Sequence, residues 1–99
     1  MKDLFVDKKC IFRTYSAGVH YGTLVERDGD EVLVIDAIRI WYWKGACSLS
    51  QLAIEGVKNP KECKFSVTVP EIILTKAIEI IPCTAKASKI IEGVDRWQS

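Results

Sequence analysis

The run Arg39-Ile40-Trp41-Tyr42-Trp43-Lys44-Gly45 packs three aromatic and two cationic side chains into seven positions. In an extended strand, alternation sets Arg39, Trp41 and Trp43 on one face and Tyr42 and Lys44 on the other. Two indoles beside a guanidinium make a surface on which a purine stacks while the cation meets a phosphate. Aromatic residues also build cores and subunit interfaces. On the residues alone, both readings of Trp41 and Trp43 stay open.

Two loops adjoin this run in the expected order of elements. Lys44-Gly45-Ala46-Cys47-Ser48 leads into a helix start, where free amides and the helix dipole attract an anion such as a pyrophosphate, with Lys44 beside it. Every helix has such an end, so the aromatic neighbours give the feature its weight. Thr14-Tyr15-Ser16-Ala17-Gly18-Val19-His20 offers small residues whose amides a ligand can approach, flanked by Arg13 and His20. It equally fits an ordinary turn with Gly18 at positive φ, and a lone His is more often structural than catalytic. Arg96-Trp97 follows a helix stop, and a Trp there is expected to dock on a neighbouring protomer or over a ligand. The candidate ligand contacts are thus Arg13, Tyr15, Ser16, Gly18, His20, Arg39, Trp41, Trp43, Lys44, Arg96 and Trp97.

Catalysis has thinner support. Asp28, Asp30 and Glu31 cluster at an expected hairpin tip and form no acid–base pair. His20 is the one histidine, so an enzyme that uses it is a distant alternative. Cys10, Cys47, Cys63 and Cys83 are widely spaced, with no Cys within four positions of another or of His20. They read as small buried hydrophobes, with no metal and no cofactor expected.

Around these residues the chain reads as alternating strands and short helices. Residues 9–15 and 19–27 are rich in β-branched and aromatic types. Asp28-Gly29-Asp30 then signals a hairpin into a third strand from 31 to about 43. Alternation gives that strand two apolar faces, Leu33, Ile35, Ala37, Trp41 and Trp43 against Val32, Val34, Ile38, Ile40 and Tyr42. A helix over 49–55 has Ser48 as N-cap, Gln51 completing a capping box and Gly56 as its stop. The cleanest alternation spans 63–69, with Cys63, Phe65, Val67 and Val69 on one buried face. Strand character returns over 71–83, where Thr75-Lys76-Ala77 can turn, with a helix as the alternative. A second helix over 85–92 is capped by Thr84 and stopped by Gly93, and a tail covers 94–99. The expected fold is α+β, an antiparallel sheet of about five strands with two short helices, in an oligomer.

Composition bounds the function. Ninety-nine residues make one domain with a modest core, so a homo-oligomer is expected. A net charge of +1 lacks the basic excess that a long nucleic acid demands. No apolar run approaches a membrane span, and charges interrupt the first residues where a signal peptide would be apolar, so the cytoplasm is the expected compartment.

The blocks at 13–20, 39–46 and 48–53, with the stretch over 71–84, resemble a family of small bacteriophage proteins, the Thoeris anti-defence protein one family. The resemblance runs from about Ile11 to about Thr84. It implies a sponge in the host bacterial cytoplasm that sequesters cyclic ADP-ribose isomers made by TIR enzymes, without cleaving them. It also implies a dimer or hexamer, with a separate site for cyclic di- or trinucleotides made by CBASS-type enzymes. The alternative is a protein–protein inhibitor or structural phage protein whose Trp41-Tyr42-Trp43 strand is an interface.

Overall fold

The computed structural model describes Met1 and residues 3–97. Six antiparallel strands form one sheet: β1 (Lys9–Thr14), β2 (Val19–Asp28), β3 (Glu31–Tyr42), β4 (Lys64–Phe65), β5 (Val69–Leu74) and β6 (Ala77–Pro82). Helix α1 (Leu49–Glu55) and helix α2 (Ala85–Glu92) complete the α+β fold. Among the described residues, no helix is long and apolar enough to cross a membrane. Of the expected tail, Gln98 and Ser99 lie outside the described residues.

The first three strands form a meander, and Gly29 (φ +61°) turns the expected β2–β3 hairpin. β6 returns to pair with β1, while β4 and β5 share the far edge of β3. Only Thr75 and Lys76 separate β5 from β6 although these strands hold opposite edges, so the sheet curls until its edges meet. The peptide bonds of this corner are tied to both neighbouring turns, Tyr15 N–H donating to Lys76 O at 3.0 Å and Ala77 N–H to Asp30 O at 2.8 Å.

Curling requires bulges, and one lies where β2 passes β3. Tyr21 faces Ile38 and Thr23 faces Ile35, so Asp36 and Ala37 together oppose Gly22. Asp36 takes the left-handed conformation (φ +52°). A Cβ on Gly22 would run into Val34 Cγ1 and stand 2.9 Å from Ile35 O, so no larger residue fits. The bulge also divides the expected apolar face of β3. Val32, Val34 and Ala37 point into the concave core with Cys10, Phe12, Leu24 and Leu74. Ile38 and Ile40 instead point to the helices, whereas Leu33 and Ile35 are only half-buried and Trp41 and Tyr42 are exposed, so the expected cover on both faces is incomplete.

The helix-side core joins Ile11, Tyr21, Ile38, Ile40 and Phe65 to Leu52, Ala53 and Val57 from the α1 region and Ile91 and Val94 from the α2 region. Burying aliphatic and aromatic side chains on this scale stabilises by about 1.5–3 kcal/mol each. Gly56 ends α1 at φ +75°, and a Cβ there would stand 2.9 Å from Ile90 Cβ, so α1 and α2 touch through a glycine. Ser48 Oγ accepts from Gln51 N–H at 3.1 Å as expected, but Gln51 Oε1 accepts from Cys47 N–H at 2.7 Å, where a capping box would use Ser48 N–H. Thr84 caps α2 through Ala87 N–H at 3.0 Å. The Tyr21 hydroxyl donates to Glu92, which also takes Lys9 Nζ at 2.7 Å, fastening the end of α2 to the sheet.

The expected strand over 63–69 is largely absent. β4 has two residues, Phe65 is its one fully buried side chain, and Val67 and Val69 are exposed. The edge of β3 explains this: Ser66 N–H donates to Arg39 O at 2.8 Å and Ser66 Oγ accepts from Arg39 N–H at 2.8 Å. The side chain takes the place of a ladder carbonyl, and the chain loops out over 66–68 before β5 rejoins β3. The stretch over 71–83 breaks at Thr75-Lys76 into two strands, and Pro70 is tolerated because β5 is an edge strand.

Candidate functional site

The end of β3 and the loop between β1 and β2 enclose a groove of about 610 Å³, lined by Ser16, Ala17, Gly18, Val19, Arg39, Ile40, Trp41 and Trp43. Arg39, Trp41 and Trp43 come together here as alternation on β3 predicts, although Trp43 lies just past the strand and leans on the helix-side core. The loop is stiffened from within: Thr14 Oγ1 donates to Gly18 O at 2.8 Å and accepts from Ala17 N–H at 2.8 Å. Gly18 turns it at φ +84° with open space beside its Cα.

Trp97 extends the aromatic lip. Its ring meets Trp41 edge to face, with centroids 5.5 Å apart and planes at 89°, and its backbone N–H donates to Phe65 O at 2.7 Å. Lys64 Nζ lies 5.2 Å from the Trp97 centroid. Trp97 therefore docks within its own chain. Positions 64 and 97 meet only through the parallel bridge between Phe65 and Arg96, so no local pattern in the sequence reveals Lys64 as a member of this lip.

His20 is buried behind the groove at 1% exposure. Arg39 Nε–H donates to its Nε2 at 3.1 Å, and burial, with the Arg39 charge added, pulls its pKa down to about 4. A neutral His20 thus holds in place the one cation among the described residues that line the groove wall. With Arg39 as that cation, two indoles and no carboxylate among the described lining residues, the groove suits a flat, anionic, aromatic ligand.

The other candidates sit elsewhere. Arg13 lies directly across from Val19 but pairs with Glu79 at 3.7 Å. Tyr15 is exposed at the β5–β6 corner with Lys76 Nζ 5.6 Å from its ring. Lys44 is tied to Glu62 at 3.3 Å, and the Cys47 and Gln51 amides before and within α1 donate to Gln51 Oε1 and Ser48 Oγ. Arg96 donates to the carbonyls of Glu92 and Val94, closing the end of α2. Ala17, Val19 and Ile40 are groove residues that residue type alone does not single out.

Among the cysteines, Cys10 is buried, Cys63 and Cys83 are half-buried and Cys47 is exposed, which departs from the expectation of four buried thiols. Burial pushes the Cys10 thiol up to about 11 and Cys83 to about 12, so neither is a nucleophile near neutrality.

A family model described as "Domain of unknown function (DUF6948)" matches residues 7–91, and the chain belongs to that family. The match takes in the sheet, the groove residues and nearly all of α2. No curated protein matches the chain.

Proposed function

We propose that this DUF6948 member captures a nucleotide signal and holds it without cleaving it. The ligand class is a cyclic ADP-ribose isomer, with cyclic di- or trinucleotides as a second class, and the setting is a bacteriophage sponge acting against Thoeris or CBASS defence in the host bacterial cytoplasm. What carries this reading is the convergence of Trp41, Trp43, Arg39 and the 16–18 loop on one groove. An adenine stacks on the indoles, and a phosphate oxygen accepts from the Arg39 guanidinium. The resemblance of the 13–20 and 39–46 blocks to the Thoeris anti-defence protein one family supplies the specific ligand. The groove is open on one side, which suits a homo-oligomer, dimer or hexamer, in which a second protomer covers the ligand.

Purified protein mixed with cyclic ADP-ribose isomers and cyclic oligonucleotides, freed of unbound ligand by filtration and then heat-denatured, tests this by mass spectrometry of what is released. Intact ligand released only on denaturation supports capture. Converted ligand makes the protein an enzyme, and no retained ligand overturns the reading.

One observation favours a second reading. Trp41 and Trp97, in contact edge to face, are each about half exposed, a patch of the kind that anchors a protein partner. A protein–protein inhibitor or structural phage protein would form a stable complex through this patch and retain no small molecule.

A further inference from the structure

Arg39 also walls a second cavity, of about 140 Å³, on the side away from the tryptophans. Four of its lining side chains are aliphatic, Ala37, Val67, Val69 and Ile72, and the polar ones are His20, Arg39 and Ser66. The Ser66 hydroxyl is spent, donating to Val67 O at 2.9 Å and accepting from Arg39 N–H. His20 is not. Its Nε2 accepts from Arg39, so a neutral ring carries its proton on Nδ1, and Nδ1 is buried with no hydrogen-bond partner. Among the described residues, the two terminal amino groups of Arg39 have neither a hydrogen bond nor an ion pair, although unlike His20 Nδ1 they are not buried. Donors are in excess and no carboxylate is among the described lining residues, so the pocket is built for an acceptor.

We propose that this pocket binds a short aliphatic carboxylate, one oxygen accepting from His20 Nδ1–H, the charge facing the Arg39 guanidinium and the alkyl body lying against Val67, Val69 and Ile72. A carboxylate matches the guanidinium fork and needs few further donors. Phosphate would press a second charge and more oxygens against four aliphatic side chains. The cavity is too small for a nucleobase with its ribose, so this site takes a different occupant from the groove while sharing Arg39 with it.

The single histidine makes the test direct, because its imidazole resonances need no assignment by mutation. The full chain is titrated with isobutyrate, isobutyramide and inorganic phosphate at constant ionic strength while the His20 ring ¹⁵N and Nδ1–H shifts are followed by NMR. Isobutyrate is expected to give a saturable shift, at least tenfold tighter than isobutyramide, with none from phosphate. Val67→Trp, a substitution at an exposed loop position, fills the pocket and abolishes the shift. Trp41→Ala keeps it, so failure of the groove reading and failure of this one are distinguishable. No saturable shift with isobutyrate, an equal response to phosphate, or a shift that survives Val67→Trp or vanishes in Trp41→Ala overturns the proposal.

Discussion

Arg39 Nε–H donates to His20 Nε2 at 3.1 Å across the β2–β3 ladder, where the two residues face each other directly. The bond makes a buried imidazole the support of the guanidinium that faces the tryptophan groove. It also binds the fold to the protonation state of one ring. The unfolded chain takes up a proton near pH 6.5, whereas the folded protein resists it to about 4. Between those values the unfolded state holds more protons, so stability falls as pH drops from 6.5 and levels off below 4, a total loss of roughly 3 kcal/mol. Urea midpoints measured across that range are expected to show this decline, and His20→Gln, which does not titrate, is expected to flatten it.

Trp41 is half exposed and its removal leaves the core intact. Trp41→Ala is expected to weaken nucleotide capture about tenfold or more, the worth of one stacked base, and to lower stability by only about 1 kcal/mol through the lost edge-to-face contact with Trp97. Equilibrium dialysis against the captured ligand reads the first effect and calorimetry the second. Capture at full strength in this variant would remove Trp41 from the site.

At Gly22 the backbone of β3 approaches too closely for any side chain. Gly22→Ala is expected to force the bulge at Asp36 and Ala37 apart and to destabilise by about 2 kcal/mol, in the range for overpacked sites. A lowered thermal midpoint with an unchanged circular dichroism spectrum at low temperature is the expected result.

Arg96 closes the end of α2 and does not line the groove. Arg96→Ala is expected to cost about 1 kcal/mol of stability through the lost hydrogen bonds to the Glu92 and Val94 carbonyls. Ligand capture by the folded variant is expected to match the parent, and a selective loss of capture would return Arg96 to the list of contacts.

Local chemistry alone determined much of this protein. Ser48, Gly56, Thr84 and Gly93 bound two helices because caps are chosen within one turn of chain, and Gly29 turns a hairpin for an equally local reason. Alternation along β3 placed Arg39, Trp41 and Trp43 at one groove, since a period of two is a property of the strand itself. The tertiary structure decided what depends on register and closure. The bulge opposite Gly22 sends Val34 and Ile38 into different cores, which no single-strand pattern encodes, because a bulge exists only relative to a partner strand. Ser66 replaces a ladder carbonyl on the edge of β3 and cuts short a strand whose alternation is otherwise the cleanest in the chain. Curling of the sheet parts Tyr15 from the groove and delivers Trp97 to Trp41. The same packing buries His20 against Arg39 and so converts a lone histidine in a loop motif into the support of a binding surface, an outcome set by which strands become neighbours.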